Sequence, residues 1–162
     1  MRKTAYIIFL SFLLVVPLGF ARQGHMRLLA VKESPDGFNG SNADLYLEIK
    51  DGSGRVFLDT FPLTKMDTQF STRFAKEIAC DYLSKDCSKF DFFYIIRSES
   101  PIVGGPSAGA AISFLTIAML DDIPINESAT VTGTINSGGI IGSVGGLRAK
   151  IDAASEAGIK KV

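Results

Sequence analysis

The order of periodic segments in this sequence predicts an α+β domain, a mixed sheet with packed helices. Three observations carry that reading. Residues 44–50 and 55–59 read as strands around Asp51-Gly52-Ser53-Gly54, with Leu45, Leu47 and Ile49 on one side, the period of a strand pair. Phe70, Phe74, Ile78 and Tyr82 recur at every fourth position, a helical signal. Residues 90–97 form an apolar run of strand-forming residues, and residues 107–120 a helix of small and apolar ones.

Composition bounds the rest. At 162 residues, 46% hydrophobic and 21% charged, the chain is long enough for one domain with a core and too apolar to stay disordered. Lysine plus arginine (17) balances aspartate plus glutamate (17), and no basic stretch interleaves with aromatics, so nucleic acid is not expected as a partner. His25 is the only histidine, and the Cys80/Cys87 pair has no histidine nearby. The sequence therefore gives no reason to expect a metal or a cofactor.

The first residues read as a targeting segment. Arg2 and Lys3 precede an apolar run over residues 5–16 broken only by Ser11, then Pro17 and small residues ending at Ala21. Residues 1–21 are expected to be a signal peptide or a retained membrane anchor, with the domain occupying 26–162. With the positive start held inside, either form places the domain outside the cytoplasm, secreted or anchored, and limits membrane contact to this segment. Removal of 1–21 takes away two positive and no negative residues. The two cysteines suit an oxidising compartment. A bridge needs the helix to stop near Leu83-Ser84 so that the chain folds back; the alternative is two thiols packed as small apolar groups.

In chain order, 26–32 is expected as a strand, 34–41 as a loop, and 44–50 with 55–59 as a hairpin. Asp67 is expected to cap the helix carrying the aromatic stripe, and that stripe to face the core. Residues 90–97 carry large side chains on both faces, which predicts a central strand covered on both sides. Pro101 to Gly105 reads as a turn and 129–135 as a strand. A glycine-rich hairpin runs through Gly138-Gly139 to Gly145-Gly146. A helix covers 147–156 with Gly158 as its stop, and 159–162 opens another strand.

Two segments carry chemistry. In Gly104-Gly105-Pro106-Ser107-Ala108-Gly109, glycines allow a sharp turn and Pro106 suits the first helical position, leaving Ser107 at a helix N-terminus whose free N–H groups favour a developing oxyanion. Gly105, Pro106 and Ala108 form the candidate oxyanion and substrate loop. Alone, the segment also reads as a serine cap on a tightly packed helix. In the second segment, Lys150 lies one turn into a helix among Leu147, Ile151, Ala153 and Ala154. Desolvation there would lower its pKa and make it a base; alone, it also reads as a surface lysine. Together the segments favour a Ser–Lys dyad, because the lone His25 is poorly placed in sequence for a triad.

The residues also resemble a known family. Gly105-Pro106-Ser107-Ala108-Gly109 resembles the nucleophile segment of Lon proteases, and Thr132-Gly133 through Gly145-Gly146-Leu147-Arg148-Ala149-Lys150 resembles their lysine segment, with the same spacing between serine and lysine. Asp59-Thr60, Asp67-Thr68-Gln69 and residues 101–105 resemble the archaeal Lon-like serine proteases without a fused ATPase. The resemblance implies a Lon-type proteolytic domain and a serine endopeptidase with Ser107 as nucleophile, Lys150 as general base and Thr132 holding the lysine. It also implies polypeptide substrates, a homo-oligomer in the form of a hexameric ring, and a domain whose C-terminal end lies past Val162. Many Lon enzymes carry an acidic residue before Gly-Pro-Ser, where this chain has Gly104. No G-x-x-x-x-G-K-[ST] loop occurs, so activity in this chain would be independent of ATP. Two other readings stand beside the peptidase. Residues 101–111 loosely resemble the phosphate loop of galactokinase-type kinases, which would make a phosphate- or nucleotide-binding module. The domain could also be a catalytically silent assembly domain.

Overall fold

The computed structural model describes residues 22–35 and 37–162, so the expected leader over 1–21 lies outside the described residues. Four strands form the main sheet: β1 (Arg22–Ser34), β2 (Gly37–Asp51), β3 (Val56–Thr64) and β4 (Phe90–Val103). Their order is β1-β2-β4-β3, with β1/β2 and β2/β4 antiparallel and β3/β4 parallel. The helices are α1 (Met66–Tyr82), α2 (Gly109–Leu120) and α3 (Leu147–Glu156). A small hairpin, β5 (Thr134–Ile135) and β6 (Ile141–Gly142), lies between α2 and α3. The mixed sheet with packed helices is the α+β architecture that the periodicities predict. Among the described residues no helix is long and apolar enough to cross a membrane.

Alternation in β2 works as expected. Leu45, Leu47 and Ile49 are all but fully buried and meet Phe92, Tyr94 and Ile96 of β4 in one core with Ile112 and Leu115 of α2. The Tyr94 hydroxyl is satisfied inside this core by Thr116 Oγ1 at 2.8 Å, which in turn reaches the Ile112 carbonyl at 2.7 Å. A smaller cluster joins Leu29 of β1 to Ala154 of α3 and to Ile159.

Several expectations need correction. Residues 34–41 are not a loop: β1 and β2 pair continuously to the Ser34–Gly37 turn, so Gly37 to Ser41 is strand. The strands at 44–50 and 55–59 are not a hairpin, because β4 lies between them. The reason is local: Gly52 and Gly54 donate their N–H groups to Lys89 and Phe90 carbonyls. Asp91, buried at the start of β4, accepts from the N–H groups of Ser53 and Arg55 at 2.8 and 3.0 Å and from the Arg55 guanidinium at 2.6 Å. That guanidinium and the two N–H groups hold the Asp91 carboxyl down to about 2. The glycine-rich turn thus wraps the head of a third strand.

Of the α1 stripe only Ile78 packs against the core; its three rings face out. Phe70, Phe74 and Tyr82 are exposed, and the buried face is Thr68, Ser71, Thr72, Ala75, Lys76, Ala79 and Cys80. Positions 68, 72, 75 and 79 follow the true helical period toward α2, whose surface is also small-residued; residue 70 lies about 200° around from residue 68. Asp67 is not the cap, which is Lys65, but sits in the first turn. The helix ends at Tyr82 and Ser84 takes a left-handed conformation, which brings Cys87 back to Cys80: the two form a disulfide with Cα atoms 6.0 Å apart.

β4 is central and longer than expected, taking in residues 101–103 that read as a turn, but only one face is fully covered. Phe93 and Ile95 on the other face are half-buried, and Phe93 stacks on Phe57. Of residues 129–135 only Thr134–Ile135 is strand. Gly133 instead bonds the start of α2, and Ala129 makes a single parallel bridge to Lys161, the one element of the strand expected at 159–162. Gly158 ends α3 with φ of 74° as expected.

Candidate active site

The cleft is assembled where the C-terminal end of β4 meets the N-terminal turn of α1. β4 delivers Gly104 and Gly105, and Pro106–Ala108 then makes one 3-10 turn that leads into α2. Gly105 has φ 95° and ψ 145°, a region essentially closed to other residues. A Cβ there would meet nothing within 4 Å, so it is backbone conformation, not space, that requires glycine. Gly109 is needed for the opposite reason, since a Cβ would lie 2.7 Å from the Ile135 side chain. This close approach lets Gly133 pair with the turn: its N–H donates to the Ser107 carbonyl and its carbonyl accepts from Ala110, both at 3.0 Å. Ser107 is therefore fixed on a backbone bonded from the side.

Lys150 comes from α3, whose N-terminal boundary is the left-handed Gly146 packed against Val31 and Phe38. Its side chain is only 2% exposed. Nζ lies 2.9 Å from Ser107 Oγ and 3.0 Å from Thr132 Oγ1. Burial pushes the amine below the usual lysine range. The apolar surroundings are not those read along the helix: Leu147 and Ile151 are about half exposed, because the buried arc of α3 is Lys150, Ala153 and Ala154. Desolvation comes from across the cleft, where Leu28, Leu29, Ala30 and Val31 of β1 and Ala108 form the wall.

The structure thus brings together Ser107, Lys150 and Thr132, with Gly105, Pro106 and Ala108 around the serine. His25 does not line this cleft. It lies on β1, its Nε2 2.8 Å from Asp44 Oδ1 and its ring against Tyr46. Thr68 of α1, buried and lining the cleft, falls within the Asp67-Thr68-Gln69 segment that carries part of the resemblance, but no site role follows from the sequence; its place on the small-residue face of α1 is the other signal. A serine hydroxyl in contact with a desolvated amine at a helix start is equipped for nucleophilic attack on a carbonyl. Among the described residues no group of three or more His, Cys, Asp or Glu side chains is placed to hold a metal ion.

Comparison with known proteins agrees with the motifs. Residues 98–162 match the family model of the Lon protease (S16) C-terminal proteolytic domain. The archaeal Lon protease of Methanothermobacter thermautotrophicus is 36% identical over 81 residues, 50% of this chain and 13% of that protein. That of Pyrococcus abyssi is also 36% identical over 81 residues, covering 50% of this chain and 8% of its own length. The Lon protease of Wolbachia pipientis is 40% identical over 58 residues, 36% of this chain and 7% of that protein. The chain spans no more than 13% of the length of these relatives. The stretch that matches contains the serine turn, Thr132 and the lysine helix.

Proposed function

We propose that this chain, whose residues 98–162 are Lon-type proteolytic sequence, is a serine peptidase working through a Ser107–Lys150 dyad. The observation that carries the reading is the 2.9 Å contact between a buried amine and a serine hydroxyl at the start of a helix. In the proposed reaction Ser107 Oγ attacks the scissile carbonyl and the neutral Lys150 amine takes its proton. The carbonyl oxygen gathers negative charge at the helix start, whose positive dipole end favours it. Lys150 then returns the proton to the departing amide nitrogen, the C–N bond breaks, and an acyl-enzyme remains on Ser107. Water, deprotonated by the same amine, releases it. Thr132 holds the ammonium and amine forms in register through its contact with Nζ.

The substrates on this reading are polypeptides, and the protomers associate into a ring. With no nucleotide loop in the sequence, hydrolysis in this chain needs no ATP. The basic start and apolar run of residues 1–21, together with the Cys80–Cys87 bridge, support action outside the cytoplasm. A phosphate-binding role is disfavoured at the loop itself: the Gly105 N–H is given to the Asp67 carboxylate and the Ala110 N–H to the Gly133 carbonyl, leaving a negative charge where an anion would sit.

A fluorophosphonate probe tests the reading. Labelling at Ser107, absent in Ser107→Ala together with peptide hydrolysis, is the expected result. Equal hydrolysis in both proteins overturns the assignment, and nucleotide binding without labelling replaces it with the phosphate module.

A further inference from the structure

The loop that presents Ser107 is held by a segment far from it in sequence. The start of α1 runs beneath residues 104–105. The Lys65 stem packs on Gly104 so closely that a Cβ there would lie 2.7 Å from it. Asp67 Oδ1 accepts the Gly105 N–H at 3.2 Å and the Thr68 N–H at 2.7 Å. Thr68, 1% exposed, brings its hydroxyl within 3.4 Å of both the Gly105 carbonyl and Asp67 Oδ1, and its single proton serves one of them at a time. The donor and the acceptor of residue 105 are therefore both engaged by two consecutive side chains of α1.

Residue 105 is where such a grip matters. Its backbone sits in a region that only glycine occupies readily, and glycine is also the residue with the most freedom to leave it. That residue is joined directly to Pro106, the first residue of the turn that carries Ser107. If the Gly105 peptide rotates, the serine hydroxyl swings away from Lys150, which is anchored on a different helix. The other side of the turn is fixed by Gly133, so only the Gly105 side needs an external hold.

From this geometry we infer that Asp67 and Thr68 are positioning residues for the proposed nucleophile, clamping the Gly105 peptide so that Ser107 Oγ stays within reach of Lys150. Asp67 is the stronger arm, because its bond is charge-assisted and shorter. The inference rests on the peptidase reading for its consequence in rate and on the contacts alone for the clamp.

The experiment has two arms. In the first, amide hydrogen exchange of the full chain is followed at Gly105. Asp67→Ala and Thr68→Val should release protection there while leaving the remainder of α1 protected. In the second, Ser107 labelling and peptide hydrolysis are measured. Asp67→Ala should lower kcat and the labelling rate about 10-fold to 100-fold, the scale expected for misplacing a reacting group by about 1 Å, with KM and the pH midpoint unmoved. Asp67→Asn, which keeps an oxygen acceptor, and Thr68→Ser, which keeps the hydroxyl, should restore both readouts toward wild type. Unchanged Gly105 exchange overturns the clamp. So does a rate loss that comes with a shifted pH midpoint, since Asp67 would then act on the Lys150 charge, or one that follows a general loss of α1 protection. A wild-type chain that never labels, with Gly105 exchange still released in the variants, upholds the clamp and overturns the peptidase reading instead.

Discussion

Lys150 has one of the largest fully buried side chains in the protein, yet carries an amine. The fold disfavours its charged form, so its proton affinity is below that of the unfolded chain. Between the two ionisations the unfolded chain binds more protons, and stability therefore rises with pH through that window. The neutral form that the fold favours is also the one that can accept the Ser107 proton. Hydrolysis is expected to rise with pH through a single ionisation below the usual lysine value. Lys150→Ala and Lys150→Arg should each lose about 10²- to 10⁴-fold in kcat, the latter because guanidinium stays charged. Steady-state rates across pH check both, and near-normal activity in Lys150→Arg would remove the base from the scheme. The serine and lysine could be picked out in the sequence only as a pair, through the two segments together and their resemblance to the Lon motifs at the same spacing; each segment alone also reads as a helix cap or a surface lysine. Thr68 lies in a segment that carries part of the resemblance, but a threonine between Asp67 and Gln69 on a helix has no local mark of facing a cleft. The source of Lys150 desolvation was hidden for a related reason: it comes from β1, more than a hundred residues earlier.

Among the elements, β2 and α3 were legible from side-chain period and α2 from its run of small and apolar residues. Partner choice was not. The Asp51–Gly54 turn reads as a hairpin until Asp91 is seen to occupy it, and no pattern within 44–59 signals a carboxylate from residue 91. The α1 stripe misled because apolar spacing indicates a helix without saying which face is buried; the tight α1–α2 contact excludes rings and admits Ala75, Ala79 and the hydroxyls. Two sets of variants separate those faces. Phe92→Ala should cost about 3–5 kcal/mol, whereas Phe70→Ser and Phe74→Ser should stay within about 0.5 kcal/mol of wild type, as read by denaturant unfolding. A large loss in Phe74→Ser would place that ring in the core after all. The Cys80–Cys87 bridge ties the end of α1 to the approach to β4. Replacing both cysteines by serine should lower stability by ~2–3 kcal/mol in the chain-entropy view of a loop this short, and reductant should do the same to the native protein. A midpoint indifferent to reductant would mean the bridge contributes little.

At the scale of the molecule, several large apolar side chains lie exposed along one run of chain. Phe61, Leu63 and Met66 are about 70% exposed where β3 passes into α1, and Phe70 and Phe74 continue along the helix. Surface of this kind favours association, and sedimentation of the purified domain is expected to show species larger than the 17.4 kDa chain. A monomer at all concentrations would contradict the ring. The strand order has a further consequence, in time. β3 ends at Thr64, but its hydrogen-bonding neighbour begins only at Phe90, and that same neighbour must also reach β2. A growing chain can close β1 on β2 at once, while β3 must wait for a central partner that leaves the ribosome roughly one to five seconds later at ordinary synthesis rates. Until then β2 exposes an unfilled edge beside a sequence that locally favours the wrong hairpin. Docking β4 is thus the event that commits the chain, and any nascent fragment that stops short of it has a β1–β2 pair and a lone β3 with nothing to join them.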